Sequence, residues 1–185
     1  MLKIVTIPNS VLTETTKKVE QFDGSLAKLV KDMDQALSKQ LNPQGVGLAA
    51  PQVAENLAIF IIKPTPDAKT EVFVNPKIIS TSEVNVKHEN TLEVRKTLKK
   101  KKTKLEGCLS IPKIWGAVKR SDKLYLEFQN QTGRVYKKWF SGFKSVIIQH
   151  EIDHLRGVLF TQRALEQNAQ LYEEKEGKLK KLLTK

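Results

Sequence analysis

The amino-acid sequence predicts one α+β domain, with antiparallel or mixed sheets wrapped around a central helix and a further helix at the C-terminus. Three observations carry this expectation. Short apolar runs such as "LAIFII" and "EVFVNP" have the length of strands, and "KLYLEFQ" and "RVYKKWF" flank the turn-like "NQTG". Residues 25–40 and 141–156 instead repeat their apolar side chains at helical spacing. The strands fall into hairpins and do not alternate with helices, which argues against a doubly wound parallel sheet.

The first helix, "SLAKLVKDMDQALSKQ", puts Leu26, Leu29, Val30, Met33 and Leu37 on one face with charges between them, and Asp23 or Ser25 is its cap. In "LNPQGVGLAAPQ", Pro43, Gly45, Gly47 and Pro51 break any period, so the stretch reads as a structured loop. "LAIFII" and "EVFVNP" follow as short buried strands. After "KIISTSEV" comes "KHENTLEVRKTLKKKKTK", with five lysines in the six positions from Lys99 to Lys104. Charge that dense is hard to bury, and a mobile loop or exposed hairpin is expected. Gly133 supplies the turn of the next hairpin. From Ser141 to Arg156, Phe143, Val146, Ile147, His150 and His154 share a helix face, and Gly157 is placed to end it. The last segment, 162–185, sets Leu165, Ala169, Tyr172, Leu179 and Leu182 at helical intervals. It reads as a basic amphipathic helix over 163–185, part of the same domain.

Composition narrows the function classes. The 185 residues suit one domain with a substantial core, and 39% hydrophobic with 28% charged residues excludes wholesale disorder. Thirty-two Lys and Arg against 20 Asp and Glu, a net charge of +12, favour a polyanionic partner. No apolar run approaches the roughly 18 residues of a membrane span, and no signal or transit segment is recognisable at the N-terminus, so a cytoplasmic protein is expected. One cysteine, Cys108, excludes an intrachain disulfide.

The chemistry starts at "QHEIDHLRG", residues 149–157. On a helix His150 and His154 lie within roughly 40° of one another, so two imidazoles can grip one metal ion. Glu151 between them is placed to take a proton from a water that the metal polarises, the usual reading of H-E-x-x-H. A catalytic site of this kind has three protein ligands and one open position. Three candidates exist for the third: His88, a late glutamate (Glu173, Glu174 or Glu176), and Cys108 in "EGCLSIP". His88 stands among Lys87, Glu89 and Asn90, with nothing to hold its ring. A lone cysteine is more often a buried hydrophobe, but its thiolate is a strong ligand for such a metal. The residues alone leave Cys108 and the glutamates open.

"GVGLAAPQ" (45–52), "EGCLS" (106–110) and "QHEIDHLRG" (149–157) resemble the three signature motifs of the peptide deformylases, in the family's order. The flanking segments from residue 2 to 162 resemble the family too. The resemblance implies the deformylase fold, with residues 1–162 as its catalytic domain and Cys108 as third ligand beside His150 and His154. It implies removal of the N-terminal formyl group from formyl-methionyl nascent peptides, with release of formate. Glu151 would be general base and then acid. The side-chain amide of Gln52 and the backbone N–H of Leu109 would face the charged formyl oxygen. Gly45, Val46 and Gly47 would pair with the extended substrate. Helical geometry adds Phe143, Val146 and Ile147, seven, four and three residues before His150, as the wall of a methionine pocket.

By the same resemblance the metal in the cell is Fe²⁺, with Zn²⁺, Co²⁺ or Ni²⁺ as substitutes. A basic C-terminal helix with Lys178, Lys180, Lys181 and Lys185 would dock on ribosomal RNA near the exit tunnel. A monomer without membrane contact is expected. Two features depart from the family: Trp115 stands where some members carry an arginine, and the lysine-rich stretch is an insertion. Arg120 and Asp153 resemble an ion pair that supports the site. The rival functions are a metalloprotease with a glutamate ligand and a basic ribosome-binding module without activity.

Overall fold

The structure, a computed structural model, describes residues 2–82 and 105–182. Its elements are a 3₁₀ turn (Ser10–Thr13), α1 (Gly24–Ser38), β1 (Gly47–Ala49), a second 3₁₀ turn (Ala50–Val53), β2 (Ile59–Ile62), β3 (Glu71–Thr81), β4 (Glu106–Cys108), β5 (Ile111–Gly116), β6 (Lys123–Gln129), β7 (Val135–Ser141), α2 (Phe143–Leu155), α3 (Phe160–Glu166), β8 (Leu171–Lys175) and β9 (Lys178–Lys181). Among the described residues the strands form two sheets, β1-β2-β3-β6-β7 and β4-β5-β8-β9, in which every pairing is antiparallel.

Asp23, not Ser25, caps α1: its carboxylate accepts from the N–H groups of Ser25 (2.9 Å) and Leu26 (3.3 Å), two of the donors a helix start leaves unpaired. The buried face of α1, with Leu26, Val30, Met33 and Leu37, packs on Ile59 and Ile61 of β2. Phe60 and Ile62 of the same strand point the other way, onto Ile147, Ile148 and Ile152 of α2. Helices on both sides explain why "IFII" is continuously apolar and does not alternate. The central helix thus lies against the larger sheet, and its Glu151, Asp153 and His154 are buried as well. The α+β architecture of sheets around this helix is the predicted one.

Gly133, with φ of 80°, closes the β6–β7 hairpin, and Gly157, with φ of 68°, follows α2, where a Cβ would run into the Thr13 carbonyl. The stretch read as a structured loop, 41–52, ends in β1 and the second 3₁₀ turn. The lysine-rich insertion lies outside the described residues.

The expected C-terminal helix over 163–185 is not what forms. The helix is α3 and stops at Glu166; Asn168 turns left-handed (φ 53°), and the N–H of Ala169 reaches back to Ala164 O at 2.8 Å. Beyond it, β8 and β9 make a hairpin through Glu176 and Gly177, both with positive φ (52° and 71°), the geometry of a two-residue primed turn. Strand pairing sets Glu173 opposite Lys180 and buries Leu171 against Phe160 and Ala164. The intervals between Leu165, Ala169, Tyr172, Leu179 and Leu182 therefore belong to a helix end and a hairpin.

Candidate metal centre

His150 and His154 stand one turn apart on α2, with ring centroids 5.0 Å apart. Cys108 ends β4, where the register with β5 breaks between Gly107 and Cys108 and swings the thiol toward the helix. The Cys108 Sγ lies 3.1 Å from His154 Nε2, and the ligand atoms of Cys108, His150 and His154 all fall within 4.8 Å of one another. The competing glutamates are occupied elsewhere. Glu174 accepts from the Trp115 indole N–H at 2.9 Å, Glu173 pairs with Lys175 at 2.8 Å, and Glu176 sits in the exposed hairpin turn. His88 is outside the described residues.

One sulfur and two nitrogens so close together fit a transition-metal ion, whose bonds to such ligands run about 2.0–2.3 Å. Electrostatics agree with the geometry. Burial would raise the Cys108 thiol, but the charge and hydrogen bonds of His154 and His150 hold it well below its ordinary value. Burial likewise opposes protonation of His150, yet Cys108 and Glu106 push it well above the histidine range. The surrounding groups thus favour the thiolate form and draw positive charge to it, the charge a metal cation would bring.

Glu151 is 3% exposed, and among the described residues its Oε2 has no hydrogen-bond partner. Burial pushes this carboxyl up to about 7, against the pull of His150 and His154. An unsatisfied buried carboxylate oxygen is costly and marks Glu151 as a candidate for a functional role. Gly47 makes room for it: a Cβ there would collide with the Glu151 carboxylate and lie 2.9 Å from Ile147 Cγ2.

A chain of ion pairs stands behind the ligands. His150 Nδ1 faces Glu106 Oε2 at 3.1 Å, so Nδ1 carries the proton and Nε2 is left for the metal. The Arg120 guanidinium forks onto both oxygens of Glu106 at 3.0 Å and reaches Asp153 Oδ2 at 2.5 Å. The expected Arg120–Asp153 ion pair is therefore present. Arg163 of α3 grips the same Asp153 at 2.8 and 3.2 Å. Gln149 accepts from the Ser121 N–H (3.0 Å) and donates to its carbonyl (2.8 Å), which fixes the segment beside Arg120. Sequence reasoning gave no role to Glu106, Gln149 or Arg163. The first two flank the ligands inside the quoted motifs; Arg163 carries no local signal.

Gln52 Oε1 accepts from the Ala49 N–H at 2.9 Å, which turns its amino group toward Ser110 Oγ (3.3 Å) and Cys108 Sγ (3.5 Å). Leu109 follows the cysteine. Both open on a cleft of about 860 Å³ that also meets Gly45, Val46, Gly47, Phe143, Val146 and Ile147. Ile147 is 3% exposed and belongs to the core, Val146 is half-buried, and Phe143 stands half-exposed. Trp115 gives part of the cleft an aromatic wall; its ring fills the space a Cβ at Gly107 would occupy.

The polypeptide deformylase family model matches residues 1–170. The chain belongs to the polypeptide deformylase family. Peptide deformylase 1 of Bacillus cereus is 36% identical over 176 residues, covering 95% of this chain and 97% of that one. The crystal structure of a peptide deformylase from Legionella pneumophila superposes with a TM-score of 0.73 at 32% identity, covering 88% of this chain and 85% of that one. A peptide deformylase from Synechococcus elongatus in complex with actinonin gives 0.72 at 30% identity, over 90% and 82%. The protein is thus a peptide deformylase, an enzyme of a metal-dependent family that removes N-formyl groups from nascent peptides. Strand β9 of the deformylase lies beyond the matched residues. Among the described residues, no helix of the deformylase is long and apolar enough to cross a membrane.

Proposed function

We propose that this deformylase hydrolyses the formyl amide of formyl-methionyl nascent peptides at a metal held by Cys108, His150 and His154, with Glu151 as proton carrier. The observation that carries the reading is the buried, unpartnered Oε2 of Glu151 beside the sulfur–nitrogen–nitrogen cluster. When bound, the metal supplies Lewis acidity, bringing a water's pKa near neutrality and drawing charge from the formyl oxygen. Glu151 takes the proton of the attacking water and delivers it to the departing amine. Its burial favours the protonated form, which suits a group that must hold a proton between two steps. The Gln52 amide and the Leu109 N–H donate to the formyl oxygen as its charge grows. β1 is an edge strand of its sheet, so Gly45, Val46 and Gly47 lie where an extended peptide can add alongside. Phe143, Val146 and Ile147 wall the methionine pocket.

The donor set accepts Fe²⁺, Zn²⁺, Co²⁺ or Ni²⁺, and Fe²⁺ is proposed in the cell. Ribosome docking and a cytoplasmic monomer complete the reading. The docking residues sit on a strand and not a helix: Lys178, Lys180 and Lys181 are exposed on β9. Charge reversal at Lys178 and Lys180 tests docking more cleanly than truncation, because removing residues 166–185 would strip β8 from the second sheet.

A metalloprotease with a glutamate ligand is separated by Cys108→Ala. The deformylase reading expects the variant to lose its metal, measured as bound metal per folded chain, along with formate release. Metal retained in Cys108→Ala, with cleavage of unformylated peptides, would overturn it.

A further inference from the structure

The larger sheet is covered unevenly. On the face toward α1, that helix packs over residues of β2 and β3, and among the described residues nothing packs over the far end made by β6 and β7. Tyr136 and Phe140 of β7 point inward to the core, so strand alternation turns Val135, Lys137 and Trp139 to the open face. Their partners there are Gln129, Glu127 and Tyr125 of β6. Trp139 is 60% exposed, although an indole is among the side chains with most to gain from burial. It stacks on Tyr125 with centroids 5.1 Å apart and planes at 29°.

The charge around this pair is one-sided. Lys137 pairs with Glu127 at 2.7 Å, Lys77 lies opposite the same glutamate on β3, and Lys123 shares the face without an ion pair among the described residues. Among the described residues of this face, three lysines therefore meet one carboxylate, on a chain of net charge +12. An exposed aromatic platform with cations on its flanks is the combination that holds unpaired nucleic acid: bases stack on the ring and phosphates meet the lysines. An apolar protein partner would leave those lysines desolvated and unmatched.

We propose that the open face of β6 and β7 is a binding surface for single-stranded RNA, with a base stacked on Trp139 and phosphates against Lys123 and Lys137. RNA is the unpaired polyanion found wherever nascent peptides are made. This surface lies on the opposite side of the sheet from α2 and its ligands, so the enzyme can hold RNA and turn over substrate at once.

The test is anisotropy of a labelled single-stranded RNA of about twelve nucleotides with the full chain at low salt. Trp139→Ala weakens binding roughly ten- to a hundredfold, and Trp139→Phe, which keeps a stacking ring, restores most of it. Lys123→Ala lowers the slope of log affinity against log salt by about 0.7, the value of one phosphate contact on a single strand. Formate release from a short formyl-methionyl peptide is unchanged in all three, and a duplex of equal length binds more weakly because its bases are already stacked. The proposal fails if the RNA does not bind, if Trp139→Ala and Tyr125→Ala bind like the parent, or if the duplex binds as tightly as the single strand. It fails too if binding depends only on Lys178 and Lys180, tested by their reversal to Glu. None of these outcomes bears on the deformylase reaction itself.

Discussion

Arg120 is the junction of the support network, and Arg120→Ala tests what that network does. Its side chain is 7% exposed and lies between the carboxylates of Glu106 and Asp153, which are 11% and 6% exposed. Truncating one partner of a buried ion pair costs about 3–5 kcal/mol, because a charge is left behind without compensation. The two carboxylates do not suffer equally. Asp153 keeps Arg163, which holds it through two contacts at 2.8 and 3.2 Å. Among the described residues Glu106 keeps only His150, at 3.1 Å. The loss is therefore placed at the low end, about 3 kcal/mol, which for a chain of this size lowers Tm by roughly 6–12 °C. Removing the charge that aligns Glu106 also loosens its hold on the His150 ring, a change that in comparable sites weakens metal affinity about 10- to 100-fold. Urea unfolding of the metal-free chain isolates the stability term, and competition with a chelator reads the affinity. Arg120→Ala within about 1 kcal/mol of the parent, with unaltered metal affinity, would refute the reasoning.

Three further outcomes follow from the same geometry. Gly47→Ala drives a methyl group into the Glu151 carboxylate and Ile147, so formate release falls by about 10²-fold or more, as for a displaced general base, while bound metal per chain is retained. In metal-free protein, infrared titration of Glu151 shows a carboxyl midpoint at about 7, absent in Glu151→Gln and moved lower by added metal. Glu106 and Asp153 have pKa values held below the ordinary carboxylate range; burial opposes this, and His150 with Arg120, and Arg163 with Arg120, override it. Their stabilisation is present above the unfolded value near 4 and is lost as pH falls through the folded values, so acid unfolding steepens below about pH 4 and the slope is shallower in Arg120→Ala.

What could be read in advance was what local chemistry determines. The α1 stripe, the "NQTG" hairpin and the H-E-x-x-H helix each declare themselves within a few residues, through periodicity and turn glycines. The C-terminal stretch carries Leu179 and Leu182 three apart among lysines, a spacing that suits a helix, yet it folds as a hairpin. The informative cue was Glu176-Gly177, a two-residue turn flanked by strand-length segments. At the site, spacing alone gave His150, Glu151 and His154. Cys108 lies 46 positions from His154, and only the break in the β4–β5 register brings its sulfur to the ring. The Arg163–Asp153 contact depends on how α3 folds back on α2, which no local pattern encodes.

The central claim is hydrolysis of a formyl amide with Glu151 as proton carrier. Formate release from a formyl-Met-Ala-Ser peptide by anaerobically prepared, Fe²⁺-loaded protein tests it most directly, beside Glu151→Ala loaded in the same way. The account predicts robust release by the parent and a loss of at least about 10²-fold in a variant that still binds one metal. Equal release by both proteins, or none from a parent with its metal in place, would contradict it.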